Sequence, residues 1–296
     1  MSLAFTILMR IICNLFWLSC LVVCGAGVAS LPPTNELPFD YSEGLLWVRV
    51  EVPQSVRPLN FLFDTGAERS VLNASTAKAL GISGGEKIRV QGVDAATTGR
   101  WPVALAAKAG DVTLPANYLS LDLSRLAASC ERPLDGLLGA DFIQGKVVEI
   151  DFQSHRIHFL EQKSSAKTDI DLPLKFSGTC CCAPARINGG QTQWLRVDTG
   201  CATAFQWVTA DAGIPVDSQR PAIGLAGLTI SQTRTTVSLG GKEFEQVPTG
   251  LHRRAIFAGE SGLLGNGLLD HFKSVTIDTK TKRLVLFPLS PAEHLR

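Results

Sequence analysis

Apolar residues in this chain come in short bursts. Leu45 to Val52 alternates in part, and Leu59 to Phe63 is almost continuous. Ser70 to Leu72, Lys87 to Val93, Trp101 to Ala107 and a stretch within Val112 to Leu123 follow at turn-bounded intervals. Runs of this length between Gly, Pro, Asn and Asp predict strands. Thr76 to Gly81, behind Asn73-Ala74-Ser75, predicts a short helix with Asn or Ser as its cap and Gly at its end. Asn73-Ala74-Ser75 also has the form of a glycosylation sequon; the cap is the preferred reading. Gly92 to Gly99 predicts a hairpin loop, Ala140 to Ile143 a helical turn, and Lys146–Asp151 with Arg156–Leu160 a closing hairpin.

The second half replays the first. Leu62-Phe63-Asp64-Thr65-Gly66-Ala67 returns as Arg196-Val197-Asp198-Thr199-Gly200-Cys201, and Asp135-Gly136-Leu137-Leu138-Gly139 as Ser261-Gly262-Leu263-Leu264-Gly265. The close matches too: Val147 to Asp151 and Ile157 to Phe159 align with Ser274 to Asp278 and Val285 to Phe287. The repeat spans about 125 residues, far beyond solenoid periods. It predicts two similar lobes related by a pseudo-two-fold axis, at 36–162 and 169–290, joined by a polar linker at 163–168.

Composition narrows the class. Frequent Gly and many short strands favour an all-β fold. A net charge of +1 and no Lys/Arg patch give no reason to expect nucleic acid. Arg10, the apolar run Ile11 to Ala29 and the small residues at Gly25 to Ser30 predict a secretory signal over residues 1–30. The run also approaches the length of a membrane span, so a retained anchor stays open beside a cleaved leader. Either reading places the protein outside the cytoplasm, in the periplasm or beyond. Five cysteines lie beyond the leader, Cys130, Cys180, Cys181, Cys182 and Cys201. Export permits a disulfide, and Cys180 or Cys182 with Cys201 is one pairing to test. Their spacing lacks the Cys-x-x-Cys of a zinc site, and no metal is expected.

The repeated Asp is the chemically suggestive residue. Asp-Thr-Gly at a strand end is by itself a turn, and duplication copies structure as readily as function. Two carboxylates in matched settings also suit one active site split across two halves. Held within hydrogen-bond reach, they cannot both ionise and so share a proton. One then accepts a proton from water while its partner donates to a carbonyl oxygen. Other constellations fail: Gly259-Glu260-Ser261-Gly262-Leu263 misses a nucleophile elbow, and Gly265-x-Gly267 lacks the third glycine of a dinucleotide loop.

Phe63-Asp64-Thr65-Gly66-Ala67 followed by Ser70-Val71-Leu72, and later Gly136-Leu137-Leu138-Gly139, resemble the active-site phrases of the aspartic protease superfamily. The resemblance covers nearly all of Leu45 to Pro288 and is to two retropepsin-like β-barrel lobes, with short helices, joined in one chain in the pepsin-like manner. It implies an endopeptidase that needs no cofactor, acts on polypeptide and works as a monomer. Asp64 and Asp198 would be the catalytic pair. Thr65, Gly66, Thr199 and Gly200 would support them, the threonine hydroxyls bonding across the lobe interface. The second copy departs from the pattern: Cys201 follows its Asp-Thr-Gly, Arg196 stands where an apolar residue is usual, and Ala202 to Phe205 matches loosely. The segment Gly92 to Trp101, where a flap is expected, carries no Tyr, and Trp101 is read as a core residue ahead of a substrate cover. A degenerate protease fold that binds peptide or a partner without cleaving it is therefore the rival reading. Pairing of like lobes between chains is a third arrangement.

Overall fold

The computed structural model describes residues 35–92, 95–162, 168–211, 213–221 and 229–289. Among the described residues no helix is long and apolar enough to cross a membrane. The leader at 1–30 lies outside the described residues, as does 163–167 of the linker.

Two eight-stranded sheets repeat the same strand order. In the first lobe the order runs Asp40–Ser42, Leu45–Val50, Leu59–Phe63, Gly136–Leu138, Val71–Asn73, Asn117–Leu121, Ala96–Ala104, Glu86–Gln91. In the second it runs Lys175–Ser177, Cys180–Ile187, Thr192–Asp198, Gly262–Gly265, Phe205–Val208, Lys242–His252, Thr229–Leu239, Ser218–Pro221. In both, the Gly-Leu-Leu strand is inserted beside the strand that ends at Asp. It runs parallel to it, with Leu138 opposite Phe63 in one lobe and Gly265 opposite Asp198 in the other. Strands covered on both faces need mostly apolar residues, and Leu59 to Phe63, apart from the half-buried Asn60, and Gly136 to Leu138 have them.

A six-stranded sheet is shared by the lobes. The two repeated closing strands pair with each other at its centre: Val147–Asp151 lies antiparallel to Ser274–Asp278, with Val147 opposite Asp278 and Asp151 opposite Ser274. Matched segments thus meet about a two-fold axis. Ile150, Val148, Val275 and Ile277 are fully buried there, and the core runs through both lobes. Glu36–Pro38 pairs along the edge at Arg156–Leu160, and Ile170–Pro173 caps the other edge at Arg283–Phe287.

The short helix forms at Ala74–Ala79 with Asn73 as its cap; the Asn73 Oδ1 accepts from Ser75 N–H at 3.3 Å. Asn73 is 4% exposed and its amide donates to the Leu134 carbonyl. The side chain a glycan would need is therefore enclosed. The corresponding stretch of the second lobe, after Phe205–Val208, forms no helix among the described residues.

Two local expectations change, and the strand expected within Val112 to Leu123 is found at Asn117–Leu121. The strand Ala96–Ala104 starts inside the expected Gly92 to Gly99 loop, because Ala96-Thr97-Thr98 pairs with Arg89 to Gln91; residues 93–94 lie outside the described residues. Val112 to Leu123 is broken into Val112–Thr113 and Asn117–Leu121 around Pro115, which lacks a ladder donor. Cys180-Cys181-Cys182 opens a buried strand, Cys180–Ile187, the counterpart of Leu45–Val50.

Because the shared sheet joins the lobes, Ile150→Ala should cost about 2–5 kcal/mol. Urea denaturation followed by far-UV circular dichroism and by tryptophan fluorescence should give one coincident, lowered midpoint. Separate transitions for the two probes would show lobes that unfold independently.

Candidate active site

Asp64 follows the strand Leu59–Phe63, and Asp198 ends the strand Thr192–Asp198. Each then enters a tight loop whose own amides turn back on the carboxyl group. Gly66 N–H and Ala67 N–H both donate to Asp64 Oδ1 at 3.0 Å. Gly200 N–H donates to Asp198 Oδ1 at 2.9 Å. The two carboxyl groups are near enough to act on each other's ionisation.

Glycine makes the approach feasible. A Cβ on Gly66 would lie 2.3 Å from the Asp198 carboxyl carbon, and one on Gly200 would lie 2.5 Å from that of Asp64. Each carboxyl group therefore rests on the other loop's glycine, and no side chain fits between them.

The threonines lock the loops reciprocally. Thr65 Oγ1 donates to the Val197 carbonyl at 2.8 Å and accepts from Thr199 N–H at 3.2 Å. Thr199 Oγ1 donates to the Phe63 carbonyl at 2.6 Å and accepts from Thr65 N–H at 3.0 Å. The cross-lobe bonding implied by the resemblance is present in both directions. Thr199 is fully buried and Thr65 nearly so.

The Gly-Leu-Leu-Gly strands hold the loops from beside. Leu138 carbonyl accepts from Asp64 N–H at 2.9 Å, and Ala140 N–H donates to the Ala67 carbonyl at 2.8 Å. Ser70 N–H and hydroxyl both donate to Asp141 Oδ1. In the second lobe Asn266 Nδ2 reaches both the Thr199 carbonyl and the Gly44 carbonyl of the first lobe, each at 2.7 Å.

Burial raises the Asp198 carboxyl well above the usual carboxylate range, and the facing charge of Asp64 adds to it. Burial raises Asp64 too, against the pull of the Ala67 and Gly66 amides and of Arg196. Asp198 is 7% exposed, whereas Asp64 keeps partial exposure.

Arg196, which opens the second Asp-Thr-Gly phrase, and Glu260, just before Ser261, complete the site, and the sequence alone does not bring them together. Arg196, 2% exposed, forms a two-pronged ion pair with Glu260, Nε to Oε2 at 2.7 Å and Nη2 to Oε1 at 2.5 Å. Its Nη1 donates to the Gly66 carbonyl at 2.7 Å, and Phe257 stacks on its face at 3.6 Å. A buried Arg on a strand demands an anion. That was the available signal, but it does not say which Glu supplies it.

The five cysteines are free thiols, so the pairing of Cys180 or Cys182 with Cys201 is not formed. Cys180 instead donates to the Gly66 carbonyl, while Cys201 sits 3.2 Å from Thr203 Oγ1. Burial pushes Cys201 and Cys181 up to about 12 and Cys182 up to about 11, which keeps these thiols neutral. No cluster of possible metal ligands occurs among the described residues. Trp101 packs half-buried against the first-lobe core, with Arg69 stacked 4.2 Å above its ring.

Residues 48–142 match the family model for aspartyl proteases. That segment, within the first lobe, is similar to the aspartyl proteases. The match contains Asp64 and stops before Asp198. A stretch of 120 residues is 28% identical to the retrovirus-related Pol polyprotein from transposon 412 of Drosophila melanogaster, covering 40% of this chain and 9% of that polyprotein. The crystal structure of the aspartic proteinase from Irpex lacteus superposes with a TM-score of 0.53 at 14% identity, over 86% of this chain and 97% of that one. That likeness extends the aspartic protease fold to both lobes.

Thr65→Val and Thr199→Val each strand a buried partner across the interface. Each should cost about 1–3 kcal/mol by chemical denaturation. A double-mutant cycle should give a coupling of about 0.5–3 kcal/mol, and additivity would show that the lock is not shared. For Asp198 the folded carboxyl stays protonated above the unfolded value near about 3.9. Its contribution to stability therefore falls as pH rises from there through the folded value. Asp198→Asn should melt higher than the parent at pH 7 and alike at pH 3, measured by calorimetry.

Proposed function

We propose that this protein is an aspartic-type endopeptidase in which Asp64 and Asp198 activate one water for attack on a peptide bond. The convergence of the two carboxyl groups, each resting on the other loop's glycine, is the observation that carries the reading. With one proton between them, the ionised member takes a proton from the water. The protonated member donates to the carbonyl oxygen of the scissile peptide. The tetrahedral adduct collapses when the amide nitrogen is protonated, and the carboxyl pair returns to its starting charge. Thr65 and Thr199 keep the two groups at fixed separation, and Gly66 and Gly200 leave the carboxyls room to meet.

A polypeptide substrate fits this scheme because its extended backbone presents carbonyls in a row to a cleft between two lobes. Both carboxyls come from one chain, which supports action as a monomer and removes the need for like lobes to pair between chains. We read residues 1–30 as a signal or tether, which puts the activity on the exported side of the membrane.

Asp64→Asn and Asp198→Asn should each lower cleavage of an unfolded protein substrate by at least about 10² to 10⁴-fold, with melting behaviour that shows a folded chain. A statine-containing peptide, which mimics the tetrahedral adduct, should block the parent. Full activity in either variant would exclude the dyad. Tight peptide binding without turnover from acid to neutral pH would mark a binding module instead.

A further inference from the structure

The pairing of Arg196 with Glu260 reaches the dyad through one peptide group. The carbonyl of Gly66 and the N–H of Ala67 belong to the same amide. Its oxygen accepts from Arg196 Nη1 at 2.7 Å, and its N–H donates to Asp64 Oδ1 at 3.0 Å. A cation on the oxygen deepens the amide dipole and strengthens the bond made by its N–H. Positive charge on a second-lobe strand is thereby transmitted to the first-lobe carboxylate.

Arg196 acts on Asp198 by charge through space alone, with no bonded peptide between them. In the repeat, Leu62 stands where Arg196 stands, and Leu134 where Glu260 stands; both leucines are buried in the first-lobe core. Asp198 Oδ1 takes one loop amide, from Gly200; the Cys201 N–H reaches the Asp198 main-chain oxygen at 3.2 Å, whereas the Ala67 N–H is shared between the Asp64 main-chain oxygen at 3.3 Å and Oδ1. Asp64 takes two. Asp198 is also the more enclosed of the pair. Hydrogen bonds to a carboxylate and access to water both favour its ionised form, and their lack favours the protonated one.

We propose that Arg196, clamped by Glu260, is a positioning residue of the dyad: through the Gly66–Ala67 peptide it sets Asp64 as the ionised carboxylate and leaves the shared proton on Asp198. The inference rests on the dyad proposed above. The titratable groups around this centre are Glu260 before the Gly262–Gly265 strand, Cys180 and Cys182 on the neighbouring strand, Glu68 and Asp64 on the first loop, and Asp198 and Cys201 on the second. The thiols stay neutral under burial, so the outside charge acting on the pair is Arg196, with Glu260 as its ion-pair partner. Glu260 occupies the Nε and Nη2 edge of the guanidinium and leaves Nη1 for Gly66.

The test uses the full chain labelled with ¹³Cγ-aspartate, its signals assigned with Asp64→Asn and Asp198→Asn. In the parent, Asp64 should ionise at lower pH than Asp198. Arg196→Met combined with Glu260→Leu removes the ion pair without stranding a charge, so the double variant is expected to fold. In it, the Asp64 ionisation should rise by roughly 1 pH unit or more, and the acid limb of kcat/KM should move with it. Glu260→Gln keeps the Arg and its bond to Gly66 while removing the opposing charge, so Asp64 should shift the other way. Opposite shifts from the two changes are not expected of a merely structural pair. Should the double variant not fold, Glu260→Gln decides: a downward shift supports the assignment, and an unmoved Asp64 overturns it. An unmoved Asp64 in a folded double variant overturns it equally. If no form cleaves peptide while the order of ionisation holds, the protease reading falls and the proton assignment stands.

Discussion

Two carboxyl groups close together inside a protein set the terms for everything around them. Neither can ionise freely, since each charge raises the cost of the other and burial raises both. The backbone must bring them together without any side chain between. That is why each Asp is followed, two residues on, by a glycine whose Cβ would overlap the opposite carboxyl. The loops repel as soon as both acids lose their protons, so they have to be tied. Thr65 and Thr199 tie them by bonding to each other's strands, with all the polar atoms of the lock buried. The paired closing strands of the shared sheet then prevent the lobes from relieving the close approach by rotating apart.

Much of this was legible because it is local. Phe63-Asp64-Thr65-Gly66 reads as a strand and a tight loop from residue types alone, and Asn73 as a cap from its position before Ala74–Ala79. The repeat revealed the partner loop, since a duplicated phrase needs no knowledge of contacts. The alignment of Val147–Asp151 with Ser274–Asp278 was legible, but their pairing with each other is seen only in the fold.

What escaped depended on contacts far apart in sequence. Glu260 lies 64 residues from Arg196, in a polar stretch whose residues look like ordinary turn formers. The cysteine triplet invited a disulfide reading, because thiols in an exported chain permit one. In the fold these residues are small apolar fillers of a buried strand, and Cys180 is fixed by the same Gly66 carbonyl that Arg196 holds. The hairpin Glu86–Gln91 with Ala96–Ala104 was drawn with too long a loop because Ala, Thr and Gly carry little hydrophobic signal; cross-strand main-chain bonds, not burial, extend that strand.

The unequal halves now have a physical sense. Leu62 and Leu134 show that the fold accepts plain apolar residues at the positions of Arg196 and Glu260. Burying an ion pair is seldom more stable than burying such residues, because both charges leave water. The pair in the second lobe is therefore poorly explained as a stabiliser. It supplies instead what leucines cannot: a fixed positive charge, compensated on one edge and presented on the other to a carbonyl of the opposing loop. A symmetric dyad has no intrinsic reason to place its proton on one oxygen rather than another. An arginine on one side only, felt by both carboxyl groups through space but bonded to just one of them through a peptide, breaks that degeneracy in the geometry itself.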